Sequence, residues 1–189
     1  MRELFFALSN TMKISELTIP GCFLIEPKVF IDNRGSFVKT YHANLFGEHG
    51  ISFDFKEEFY SCSAKGVIRG MHFQAPPAEH DKIVYCPKGS VLDVILDIRS
   101  ESSTFGKFLC FELSGINARQ LFIAKGVAHG FLSLEDNSIM VYKTSSVYSP
   151  VLDSGLLWDS FGFNWGLDNP QISDRDKSFP PFSPKMNVF

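Results

Sequence analysis

Between Gly66 and Lys82 the chain reads GVIRGMHFQAPPAEHDK, and this stretch gathers residue types that move protons: one Arg, two His and one Lys, with a Pro-Pro turn between His72 and Lys82. An imidazole has an unperturbed pKa of roughly 6.5, so near neutral pH it accepts a proton and gives it back. A neighbouring ammonium holds negative charge as it develops. Val67, Ile68, Met71 and Phe73 interleave with Arg69, Gly70, His72 and Gln74, the alternation of a strand with one polar face. Strict alternation puts Arg69 and His72 on opposite faces, so Gly70 between them marks a bulge that re-aims one of them. After Pro76-Pro77, Lys82 opens a second strand, KIVYC, and the turn brings the imidazole and the ammonium towards one cavity. A single strand histidine is nevertheless more often a hydrogen-bonded structural residue than a catalyst, and this stretch alone does not separate the two.

The elements that must hold these residues are strands. Twenty Phe in 189 residues suit pleated, half-buried surfaces and point to an all-β chain. From Ser52 onward, apolar and polar residues alternate in eight short runs, 52–63, 66–74, 82–87, 90–98, 105–113, 119–124, 128–135 and 138–148. Turn signals every eight to twelve residues make that the pattern of a sandwich or barrel. Upstream, 20–31 and 36–42 read as two more strands around the turn Asp32-Asn33-Arg34-Gly35, followed by a short helix from Asn44 to about His49. Beyond Pro150 the chain is loop-rich, with Trp158, Trp165 and the polar cluster Ser173-Asp174-Arg175-Asp176.

The length fits one domain over residues 14–189, with 1–13 as a flexible extension and Met12 as an alternative start to Met1. With 44% hydrophobic and 21% charged residues the chain is globular, and a net charge of -3 gives no electrostatic case for nucleic acid. The apolar run in MRELFFALSN is too short for a signal peptide or a membrane span. Cys22, Cys62, Cys86 and Cys110 form no CxxC pair and read as buried free thiols in a reducing cytoplasm.

From about Ile14 to Asp176 the sequence resembles the dTDP-4-dehydrorhamnose 3,5-epimerase family, the sugar-epimerase branch of the cupins. The blocks that carry the resemblance, in order, are EPKVFIDNRGSF, VIRGMHFQ followed by Lys82, VLDVILDIR, STFGKF, RQLFIAKGVAHGF, VYKTSSVYSP and ISDRD. The resemblance implies a cupin-type double-stranded jelly roll with a short C-terminal helical or loop segment. It also implies a homodimer whose N-terminal strands are exchanged, a nucleotide-sugar substrate and no metal or other cofactor. The family's base matches His72, its partner carboxylate Asp176, its acid Tyr142 and its enolate-side lysine Lys82. Arg69, His129 and Asp93 fall at polar positions near the sugar, and Arg34 resembles an arginine that reaches the diphosphate across the dimer. Taken alone, Tyr142 reads as a strand aromatic and Asp176 as a surface loop charge.

The chemistry stands beside the name. A carbonyl at C4 of a sugar acidifies the hydrogens on C3 and C5, because removing either leaves an enolate, so one base serves both centres. Inversion requires a proton from the opposite face, a role for a phenol whose pKa a nearby cation, Lys82 or Lys143, would lower. Many cupins hold a metal through a His-x-His pair; here His72-Phe73-Gln74 stands at that place, and only His129 resembles a further ligand.

Departures from the family pattern cluster. Lys39 stands where a Glu is usual, and Glu57-Glu58-Phe59-Tyr60-Ser61 replaces Gln-x-Asn-x-Ser. His80 replaces a Gln, and Lys125 a Pro. Lys39, Glu57, Phe59 and His80 are therefore candidate substrate contacts with altered base-reading, which predicts a carrier such as CDP, GDP or UDP, or a different sugar. Within enzymes the alternative is a single-centre epimerase or a 3,4-ketoisomerase; from another class, a non-catalytic cupin that binds a sugar nucleotide.

Overall fold

The computed structural model describes residues 12–189. One antiparallel sheet runs β1 (Lys13–Glu16), β2 (Phe23–Glu26), β10 (Gln120–Ile123), β7 (Lys82–Lys88), β12 (Ser138–Thr144) and β5 (Glu57–Ser63). The second runs β13 (Asp153–Gly155), β6 (Ile68–Gln74), β11 (Val127–Ser133), β8 (Ser90–Asp97) and β9 (Phe108–Ser114). Strands β3 (Val29–Asp32) and β4 (Gly35–Val38) form a separate hairpin, and helices α1 (Ala43–Glu48) and α2 (Asp174–Lys177) complete the elements. The all-β sandwich expected from the alternation is present, in the jelly-roll form that the resemblance implies, and all eight runs after Ser52 contain strands.

Three apolar layers hold it. Val84, Val91, Ile95, Leu121, Phe131 and Met140 fill the space between the sheets. On the outer face of the six-stranded sheet, Ile25, Ile83 and Phe122 pack under Phe46 of α1. Behind the five-stranded sheet, Ile68, Met71, Leu96 and Ala128 are covered by Trp158, Phe161, Trp165, Phe182 and Phe189. That last layer takes up Phe73, Phe161, Phe163, Phe182 and Phe189, a ring contributing up to about 1.5–3 kcal/mol where it is fully buried. Because β11 is covered on both sides, all seven of its residues are buried and it shows no alternation.

Several expectations shift. The run 20–31 is broken into β2 and β3 at Pro27-Lys28, Pro27 having no N–H to continue the ladder. Lys13, the last residue of the expected extension, opens β1 and pairs opposite Glu26; residues 1–11 lie outside the described residues. β1 is bonded to β2 of its own chain, and the hairpin β3–β4 forms a small sheet apart from both large ones. The Pro76-Pro77 turn carries the chain from β6 in one sheet to β7 in the other, and His72 and Lys82 line one cavity as expected. Of the four free cysteines only Cys22 and Cys86 are buried; Cys62 and Cys110 are exposed. Among the described residues no helix is long and apolar enough to cross a membrane.

Candidate active site

A cavity of ≈ 380 Å³ opens between the sheets, within the roughly 300–1,000 Å³ typical of small-ligand sites. Strand periodicity decides which residues face it. Glu57, Phe59 and Ser61 point in from β5 and Tyr142 and Thr144 from β12, while Arg69, His72 and Gln74 come from β6 of the facing sheet. The bulge expected at Gly70 is there: His129 pairs opposite His72 and Phe131 opposite Arg69, so three steps on β6 match two on β11. Gly70 has φ +134°, and a Cβ there would lie 2.5 Å from the Cα of Gly130, so only glycine fits this close approach.

The bulge also frees a backbone donor. The N–H of Gly70 donates to Oδ2 of Asp176 at 3.1 Å, while Oδ1 lies 2.9 Å from Nε2 of His72. Asp176 arrives on α2, whose first turn is capped by the Ser173 hydroxyl. Burial alone would raise this carboxyl, but the His72 bond and charge, the Gly70 N–H and Ser173 together hold it below the usual carboxylate range. An ionised carboxylate only accepts, so Nε2 of His72 carries the hydrogen and Nδ1 is the bare nitrogen. The His72 side chain is 30% exposed against 5% for Asp176.

Tyr142 enters from the opposite sheet. Its ring stacks on Phe59 at 4.8 Å and meets His129 edge-on at 6.1 Å. Burial raises its pKa above the ordinary phenol value, and the Ser61 hydroxyl 3.3 Å from its oxygen offsets that only in part. This corrects the expectation of a phenol made more acidic by a cation: Lys143 faces the other way, pairs with Glu58 at 3.4 Å and lies over the Phe55 ring.

Lys82 is buried and donates to the His72 carbonyl at 3.2 Å. Burial lowers its pKa to about 8 against the opposing charges of Asp153 and Asp93. His80 lines the cavity with Nδ1 bonded to Gln74 and Ser146; burial, with the Lys82 charge, brings it down to about 3 and keeps it neutral. Arg69 reaches across the sandwich, donating to Ser63 at 3.0 Å and to the Cys62 carbonyl at 3.3 Å. Among the described residues no three His, Cys, Asp or Glu side chains cluster as a metal site needs.

The model of the family described as dTDP-4-dehydrorhamnose 3,5-epimerase matches residues 16–184. The chain belongs to that epimerase family. A Shigella flexneri enzyme of that name is 42% identical over 168 residues, covering 87% of this chain and 93% of its own. The Bacillus anthracis enzyme, solved with TDP and pyrophosphate bound, superposes with a TM-score of 0.88 at 36% identity, covering 91% and 100% of the two chains. A 3'-monoepimerase from Streptomyces bikiniensis in complex with dTDP-quinovose has a TM-score of 0.83 at 30% identity, with 87% and 85% covered. The fold and the isomerase class follow from this kinship.

For this epimerase family member, the structure brings His72, Lys82, Tyr142, Glu57, Phe59, Arg69, His80 and His129 to one cavity. Asp176 and Asp93 stand directly behind His72 and His129. Arg34 and Lys39 do not join them: Arg34, at the exposed turn of the hairpin, is ion-paired with Asp32, and half-buried Lys39 follows the end of β4. Sequence reasoning missed Ser61, Tyr148, Asp153 and Arg175 as lining residues. Ser61 was readable as the third inward position after Glu57 and Phe59. Asp153, which accepts from Tyr148 and Arg175, carried no local signal.

Proposed function

We propose that this cavity epimerises a nucleotide-linked 4-keto-6-deoxyhexose at the carbons flanking C4. Nδ1 of His72 removes the proton, Asp176 holds the tautomer and stabilises the imidazolium, and Tyr142 protonates the opposite face. The Lys82 ammonium stabilises the enolate oxygen, an effect worth about 3–4 kcal/mol for a well-placed donor. Arg69 and His129 hold the sugar and its diphosphate, and His80 offers a neutral imidazole. The observation that carries this reading is that His72 and Tyr142 project into one sugar-sized space from opposing sheets.

The carrier in the named relatives is dTDP, and we take it as the carrier here. A second reading, a CDP-, GDP- or UDP-linked sugar, is favoured by Glu57: its carboxylate lies at the cavity, accepting from the Tyr148 N–H at 2.6 Å. A homodimer in which the β3–β4 hairpin delivers Arg34 and Lys39 to the neighbouring cavity is supported by the exposure of Ile31 (80%) and Phe37 (53%) on that hairpin. The unpaired cysteines support a cytoplasmic setting.

Proton NMR in heavy water tests the reaction. Wild type is expected to exchange deuterium at C3 and C5, and Tyr142→Phe to exchange at C5 without inverting it. Exchange at one carbon alone would make it a single-centre enzyme; ketone migration would make it a ketoisomerase. Titration with dTDP, CDP, GDP and UDP decides the carrier.

A further inference from the structure

An epimerase that takes a proton on one group and returns a different proton from another does not end a cycle as it began. After one inversion His72 holds the proton removed from carbon, and Tyr142 has lost its own. Before a second carbon or a second substrate is processed, the imidazolium must discharge and the phenolate must be refilled. The two groups have unequal access to water. His72 borders the cavity on one side and, on the other, a second hollow of ≈ 310 Å³ that it shares with Asp176, Ser173 and Gln171. It can discharge there with the sugar still in place.

Tyr142 is half-buried and lines the cavity that the sugar fills. Its ring is enclosed by Phe59 and His129, and among the described residues the one hydrogen-bond partner of its hydroxyl is Oγ of Ser61, at 3.3 Å. Ser61 lies on β5, the last strand of the six-stranded sheet, and is partly exposed between the exposed Tyr60 and Cys62. When the phenol proton points at the sugar, Ser61 is the donor of this pair; it lines the same cavity from the sheet's last strand, leaving its oxygen free to accept from a water at the cavity rim.

Resting on the epimerase reading, we propose that Ser61 is the relay that reprotonates Tyr142 between inversions. The Tyr142 oxyanion takes the Ser61 hydroxyl proton as Ser61 takes one from water. The hydroxide so formed is neutralised by the proton His72 releases, so nothing is consumed. The burial that makes the phenolate costly drives the transfer towards the phenol.

Rapid-quench kinetics on wild type, Ser61→Ala and Ser61→Thr test this. Ser61→Ala, which also removes the bond that tempers the Tyr142 pKa, is expected to slow the first inversion per site only a few-fold and then turn over roughly 10- to 100-fold more slowly than wild type, at or below the low end of what proton-transfer groups contribute. Singly inverted sugar accumulates where wild type shows little, and Ser61→Thr, which restores the hydroxyl, recovers the steady-state rate. Wild-type turnover in Ser61→Ala would overturn the proposal. So would a first inversion slowed as much as turnover, which makes Ser61 a positioning group for Tyr142, or a change in KM alone. A wild type that exchanges no hydrogen at C3 or C5 would overturn the epimerase reading itself, a result separable from the Ser61 pattern.

Discussion

Two histidines sit opposite one another across the β6–β11 pairing, each bonded to an aspartate at nearly the same distance: His72 to Asp176 at 2.9 Å and His129 to Asp93 at 2.8 Å. Bonding does not distinguish them; access does. The side chains of His129 and Asp93 are 3% and 0% exposed, whereas His72 is 30% exposed and keeps a bare nitrogen towards the cavity. In the proposed reaction the His129–Asp93 pair is a fixed polar wall and His72 is the base. The source of the carboxylate differs too. Asp93 comes from β8, inside the sheet that holds His129, while Asp176 comes from a capped helical turn outside both sheets. One strand ladder positions the wall, and a separate late segment positions the base.

The strongest test of this contrast is His72→Asn. Loss of the base should reduce turnover by roughly 10²–10⁴-fold and abolish deuterium uptake at both carbons, with little change in Tm. Uptake that survives would move the base elsewhere. Next come the two aspartates, read together by activity and thermal melts. Asp176→Asn should lower kcat by on the order of 10²-fold. Asp93→Asn should instead cost about 1–3 kcal/mol of stability, because a buried partner is left unpaired, and Tm should fall by roughly 2–4 °C for each kcal/mol. Equal effects on Tm from both would erase the distinction. The smallest effect is in pH dependence. Burial lowers Lys82 to about 8, so its ammonium is present below that pH and lost as pH rises through it. kcat/KM should therefore fall on the alkaline side with a midpoint near 8, and Lys82→Arg should push that limb upward.

Much of the sheet architecture was legible because its strands have one wet face, and the polar residues of VIRGMHFQ and KIVYC mark it. Gly70 was legible as a bulge because alternation fails between Arg69 and His72. The long apolar run at β11 and the C-terminal cover were less so, since a strand buried on both faces has no period and Trp158 to Phe189 pack without regular structure. Tyr142 and Asp176 entered through kinship; neither has a local signature, and the physical fact that matters for Tyr142, its burial, is set by Phe59 and His129 from two other strands.

Asp176 follows His72 by 104 residues and reaches it only when α2 docks against the bulge. While the chain is being made, the sandwich strands through β12 emerge well before the carboxylate that orients the base. On the proposed mechanism, proton-transfer competence thus arrives last, and a polypeptide halted short of Ser173 would hold the sandwich strands without the carboxylate that fixes the His72 tautomer.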